Sequence, residues 1–222
     1  MYAASEQFYK NLSQACGALQ IACLKSEHTS SERLQVDFRN WLEQGNAALL
    51  PYLEKRFEQL SDPFGSRPWA KSLLILSFLP VTQKNSPLYS LPAQRAGHPC
   101  VSLAGYLLNE DYHIIGRNIL QKLVSSLSLS EGSYEFGVDS SPLFEKYFAS
   151  LAGLGNYGFN NLIRNDYAGS LFHLAYLFTA EELPICLYDT KSSLACEDCL
   201  LCVENCSTKA LKVSGLDISH CR

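Results

Sequence analysis

The chain has 222 residues, of which 47% are hydrophobic and 18% charged, with a formal net charge of −4 and a pI near 5.7. That composition fills a sizeable core and argues against long disordered tails. The acidic balance argues against a general nucleic-acid binder, whose footprint is basic.

The length suits one large domain, or one domain with a small module. Residues 1–17 carry no apolar signal core, and no stretch reaches membrane-span length, so cytoplasm is the expected compartment. Nine cysteines in that setting imply metal ligation or buried thiols rather than disulfides.

Residues 5–24 read as a first helix, with Phe8, Leu12, Ala15 and Leu19 on one side. Cys16 and Cys23 then share a face and read as buried structural thiols, as do Cys100 and Cys186. A second helix is expected from an N-cap at Ser31 through Trp41 and Leu42 to Gly45. A third spans Leu49 to Leu60, with Pro51 in its first turn. Asp62-Pro63-Phe64-Gly65 is turn chemistry. The apolar run from Ser72 to Leu79 reads as a central strand covered on both faces, stopped by Pro80.

Residues 83–100 are rich in Pro, Ser and Gly and read as a long loop. Residues 101–128 read as helical, with Leu103, Tyr106, Leu107, Ile114, Leu120 and Leu123 as buried positions. Tyr134 to Val138 is a short strand that ends at Asp139. Ser141 is a candidate cap for a helix from Pro142 to Ala152. A glycine-rich turn follows at Gly153–Gly158, then an apolar strand from Leu171 to Thr179. Residues 184–195 lead into a cysteine module whose helix is expected from about Val203 to Leu211. Helix and strand mix throughout, so the class is α+β or α/β.

The most specific motif is Cys196-x2-Cys199-x2-Cys202-x3-Cys206. This spacing matches the bacterial ferredoxin run, with Ser207 where the pattern has proline. Soft thiolates select iron–sulfur clusters or zinc, and the usual zinc arrangements of paired units or a histidine pair are absent. Gly153-Leu-Gly155-Asn-Tyr-Gly158 formally matches a dinucleotide fingerprint, but a helix precedes it and none follows. Its glycines mark a backbone that turns sharply or approaches something closely. Asp139, at a strand end, is either a helix cap or a partly desolvated acid. Asp111-Tyr112-His113 is a compact polar group in an apolar helical region, where a histidine is ordinarily structural. His28 and His98 read as loop residues, His173 as a strand residue, and His220 as a surface neighbour of Cys221.

Asp111-Tyr-His113, Val138-Asp-Ser-Ser-Pro142, Ala152-Gly-Leu-Gly155, Ala168-Gly-Ser170 and the cysteine run, in that order and spacing, resemble the epoxyqueuosine reductases. Leu73 to Pro80 is similar to that family's first core strand. The resemblance extends from about residue 10 to Cys221. It implies an α+β fold: a nitroreductase-like cobalamin-binding domain over residues 1–183 and a partial ferredoxin-like module over 184–222. The implied reaction is reductive removal of the epoxide oxygen in tRNA queuosine synthesis. Cobalamin and a 4Fe-4S cluster would serve as cofactors, with flavodoxin or ferredoxin as electron donor and tRNA as substrate partner.

The same resemblance assigns the proton donor to Asp139. It places Asp111, Tyr112, His113, Gly153, Gly155, Gly158 and Asn161 along the cobalamin pocket. Cys196, Cys199 and Cys202 become cluster ligands, with Cys206 and Cys221 as further thiolates. Four departures stand out. The family's second cysteine group would follow Cys221, and this sequence ends at Arg222. Glu110 stands where the family has Arg, Asn156 and Phe159 where it has Trp and Lys, and Leu151 where it has a basic residue. Loss of cations weakens phosphate contacts with tRNA. A non-catalytic corrinoid-handling protein, a small iron–sulfur carrier and a flavin-binding domain are therefore rival readings. A monomer without membrane association is expected.

Overall fold

The computed structural model describes residues 2–29, 32–47, 50–80, 110–139, 142–189, 196 and 199–221. Helix α1 (Tyr2–Cys16) leads into strand β1 (Gln20–Leu24). Three helical pieces follow, α2 (Ser26–Thr29), α3 (Glu32–Glu43) and the pair α4 (Tyr52–Lys55) and α5 (Phe57–Ser61), before strand β2 (Ser72–Phe78). Helix α6 (Tyr112–Ser126), strand β3 (Tyr134–Gly137) and helix α7 (Glu145–Leu151) come next. A hairpin of β4 (Asn156–Tyr157) and β5 (Ile163–Arg164) precedes the long strand β6 (His173–Thr179). The tail holds α8 (Leu201–Glu204), the hairpin β7 (Leu211–Lys212) and β8 (Gly215–Leu216), and a 3-10 turn at Ile218–His220.

The main sheet has strand order β1-β2-β6-β3, with every neighbouring pair antiparallel. All seven residues of β2 are buried, as the nearly continuous apolar run predicts. Alternation sends Leu74, Leu76 and Phe78 to one face and Leu73 and Ile75 to the other. The first face packs on Tyr9 and Leu12 of α1 and on Ile119, Leu120 and Leu123 of α6. The second packs on Leu34 of α3 and on Phe148 and Ala149 of α7. Helices on both faces of an antiparallel sheet give an α+β sandwich of three layers.

The first predicted helix is shorter than expected. It stops at Cys16 because Gly17 turns the chain at φ +88°, and Ile21–Leu24, four consecutive buried residues, form a strand instead. Cys16, Cys23 and Cys186 are all buried, Cys16 at a helix end and Cys23 on β1. The predicted 49–60 helix breaks at Arg56, whose backbone (φ −108°, ψ 15°) leaves the helical region. Pro142 lies outside α7, which is flanked by Phe144 rather than capped by a serine. Helix α8 is one turn, and Leu211 belongs to a strand. Ile114, expected inside, is 47% exposed, whereas Leu120 and Leu123 are buried.

Cys100, His98, Ser141, Leu103, Tyr106, Leu107 and the 83–100 loop lie outside the described residues. Residues 184–189 lie against the main body. The Tyr9 hydroxyl donates to the Pro184 carbonyl at 2.7 Å, and Cys23 and Cys186 exchange backbone bonds at 2.9 and 3.2 Å. Among the described residues no helix is long and apolar enough to cross a membrane.

Ile75 sits mid-strand in β2, between β1 and β6 and fully buried. Ile75→Ala should lower unfolding free energy by roughly 2–5 kcal/mol. Urea denaturation measures it, and a loss below about 1 kcal/mol would contradict the two-sided core.

Candidate active site

Asp139 lies two residues beyond β3, whose last ladder pair joins Gly137 to Tyr176. Its backbone is left-handed, at φ +54°. Asp tolerates this region better than bulkier residues, yet it persists only where surroundings hold it. Two contacts do so. Tyr112 donates its hydroxyl hydrogen to Asp139 Oδ2 at 2.8 Å, and the Asp139 amide donates to Glu145 Oε1 at 3.1 Å.

Tyr112 is the first residue of α6, and Asp111 is the N-cap, accepting from the His113 amide at 2.8 Å. The tripeptide therefore opens the helix rather than sitting within it. The ring of Tyr112 stacks on His173 at 4.3 Å with planes 8° apart. His173 begins β6 and faces Phe78 at the end of β2. The site thus collects the ends of β2 and β3, the start of β6 and the N-terminus of α6. His113 is held separately, with Nδ1 2.8 Å from Asp111 Oδ1.

Tyr112, Asp139 and His173 border a cleft of about 410 Å³, lined also by Leu143, Glu145, Lys146, Leu162, Phe172 and Leu174. Burial, reinforced by Asp139, pushes the Glu145 carboxyl up to about 8. Burial lowers Lys146 and His173, which favours their neutral forms. Burial and the Asp139 hydrogen bond push Tyr112 well above its ordinary value, so it remains a donor. Lys146 Nζ donates to the Asn161 carbonyl at 3.0 Å. The cleft therefore gathers titratable groups around the Asp139 carboxyl, the equipment of general acid catalysis. Its apolar side, Leu143, Phe172 and Leu174, suits the face of a macrocycle, and its polar rim suits amide side chains, so the residues present fit the reacting edge of a corrinoid.

The candidate residues do not all converge. Asn161 reaches the cleft through its carbonyl contact with Lys146. Gly153 and Gly155 instead line a second cavity of about 500 Å³ with Arg164, Tyr167 and Tyr188. A Cβ on Gly153 would run into the Tyr188 carbonyl, and one on Gly155 would lie 2.5 Å from the Arg164 carbonyl. Gly158 donates to the Leu162 carbonyl at 2.9 Å within the β4–β5 hairpin. A larger groove of about 750 Å³ between α3 and α4–α5 is lined by Arg39, Glu43, Glu54, Lys55 and Glu58, none of them a candidate residue from the sequence.

Among the described residues no three Cys, His, Asp or Glu side chains are gathered as a metal site. Cys196 Sγ contacts the Arg164 guanidinium, and Cys206 Sγ accepts from the Leu211 amide at 3.5 Å. Cys199 and Cys221 are exposed and Cys202 half-buried. Their spacing and chemistry suit a cluster, while the described thiols are not gathered around one point.

Glu145 and Lys146 escaped the sequence reading. The available signal was an acid six residues after Asp139, close enough to return to its amide.

No family model matches the chain. An epoxyqueuosine reductase of Cyclobacterium marinum is 32% identical over 203 residues, covering 90% of this chain and 62% of that protein. One from Pseudomonas aeruginosa is 29% identical over 180 residues, covering 79% of this chain and 48% of its own length. The chain is a relative of the epoxyqueuosine reductases. Solved structures share the fold. The Streptococcus thermophilus epoxyqueuosine reductase superposes with a TM-score of 0.70 at 21% identity, covering 97% of this chain and 56% of that one. An epoxyqueuosine reductase solved with an epoxyqueuosine-modified tRNA-Tyr stem loop gives 0.71 at 22%, covering 100% and 56%. The chain thus spans about half to three-fifths of the length of these relatives.

Glu145 also sets a pH dependence of stability. Its folded value, about 8, lies above the ordinary 4.5. Between those values the folded chain binds more protons than the unfolded one, so stability falls as pH rises through the window. Glu145→Gln should therefore melt roughly 2–4 °C above wild type on the alkaline side of that window, with the difference closing toward its acid end. Thermal melts across the range check this; a wild type that melts higher at the alkaline end contradicts it.

Proposed function

We propose that this chain carries the reducing centre of an epoxyqueuosine-reductase-like enzyme that acts on a queuosine precursor in tRNA. The observation that carries the reading is the Tyr112–Asp139–Glu145 network at the cleft, in a chain whose curated relatives bear that activity in their names. Removing an epoxide oxygen as water takes two electrons and two protons. Cobalamin, when bound, supplies low-valent cobalt as the reductant. Asp139 delivers a proton to the epoxide oxygen as its C–O bond breaks, because a developing alkoxide needs a donor within hydrogen-bond reach. Tyr112 orients that carboxyl, and Lys146 lies on the same cleft wall. The aromatic stack of Tyr112 on His173 forms one side of the cleft.

Support for the 4Fe-4S cluster is the spacing and softness of Cys196, Cys199 and Cys202, with Cys206 and Cys221 as further thiolates. A flavodoxin or ferredoxin would feed it. The tRNA partner is supported by the relative solved with a modified stem loop. The main body is read as the nitroreductase-like domain and the tail as a partial ferredoxin-like module.

The test is anaerobic purification with cobalt, iron and sulfide analysis, followed by turnover of an epoxyqueuosine-modified stem loop. Asp139→Asn should keep corrinoid and lose about 10²–10⁴-fold in rate. Normal turnover by that variant would remove Asp139 from the acid role. Corrinoid uptake without turnover by wild type would favour the corrinoid-handling reading instead.

A further inference from the structure

We infer that Glu145 is a positioning residue: its carboxyl holds the Asp139 amide and so fixes the turn that aims the Asp139 side chain into the cleft. The inference rests on the reading of Asp139 as proton donor. Strand β3 ends at Gly137, so the Asp139 amide has no ladder partner on β6. Glu145 Oε1 accepts it at 3.1 Å. The conformation it secures, φ +54°, is disfavoured for a side-chain-bearing residue.

Glu145 is well placed to impose that conformation. It is the first residue of α7, and Phe148 and Ala149 of that helix are fully buried against the sheet. The route therefore runs from the packed core through a helix to one carboxyl, and from there to the backbone of the acid. Tyr112 holds the other end, through Oδ2. With both ends held, the Asp139 carboxyl has one orientation toward the cleft.

The groups facing Glu145 are Asp139 before it, Lys146 beside it and Tyr112 from α6, with His173 across the cleft. With a value of about 8, Glu145 is protonated near neutrality and still accepts through Oε1. Glutamine reproduces that acceptor without a charge, and leucine removes it. Ionisation of Glu145 places an anion next to the Asp139 turn, which opposes a developing alkoxide.

The experiment uses the labelled full chain and needs no turnover for its first arm. The Asp139 amide resonance should shift with a midpoint near 8 in wild type and stay flat through that range in Glu145→Gln. In Glu145→Leu the Asp139 carbon shifts should leave the left-handed range. In the second arm, with corrinoid and a modified stem loop, Glu145→Leu should lower kcat about 10–100-fold with KM nearly unchanged. Glu145→Gln should recover most of that loss and remove the fall in rate above the wild-type midpoint. An Asp139 amide indifferent to pH in wild type, or a leucine variant with wild-type kcat, overturns the inference. Absence of turnover in wild type would sink the reductase reading alone, and the amide titration would still decide the positioning role.

Discussion

Strand β2 is hydrogen-bonded on both edges and buried on both faces, and that double enclosure governs the rest of the chain. A strand whose side chains, two serines included, are all buried needs a helical layer on each side. Helices α1 and α6 supply one, while α3 and α7 supply the other. The two layers deliver different chemistry to the same sheet edge. Helix α6 begins at that edge with Tyr112, and α7 begins there with Glu145. Asp139 lies between them, at the point where β3 runs out. The cleft is therefore a consequence of covering both faces of one sheet.

The polar side of the molecule follows the same logic. Arg67 is only 7% exposed, a costly position for a guanidinium unless every donor is used. It forms a two-pronged pair with Glu135 on β3, at 3.0 and 2.6 Å, and lies 4.5 Å over the Phe178 ring. This pins the edge strand that leads to Asp139. On the opposite edge, Tyr188 donates to the Ile21 carbonyl at 2.9 Å and its amide to Ala152 at 3.0 Å. Each border of the sheet is thus tied to the segment that carries a candidate functional residue.

Much of this was legible in the sequence. The largely apolar runs announce β2 and β6, because a strand covered on both faces tolerates five apolar residues in seven. Strand β1 was hidden, since Gln20–Leu24 follows a helix without a turn longer than Gly17–Leu19 and carries no alternation to betray it. Asp111 read as part of a helix because its cap role depends on where α6 starts, and residue type alone does not fix that. Asp139 was visible only as a strand-end acid. Its partners Tyr112 and Glu145 come from two other elements, and no local pattern joins them. The cysteine run was the reverse case: its spacing is plain, while the thiols themselves do not converge among the described residues.

The glycine turn shows how a motif and its cause separate. Gly153 needs its left-handed backbone, φ +81°, and its missing side chain because the Tyr188 carbonyl occupies the space a Cβ would take. A Cβ on Gly155 would meet the Arg164 carbonyl at 2.5 Å. Arg164 in turn touches Cys196. The glycines therefore let two stretches of this chain's own backbone meet, and that meeting places the first thiol of the cysteine run beside a cation. A loop selected for tight chain packing and a loop selected for cofactor approach leave the same residues in a sequence. At Gly153 and Gly155 the nearest approach is made by protein backbone, and at Gly158 by the Asn160 and Arg164 side chains, so each glycine faces a neighbour from this chain itself.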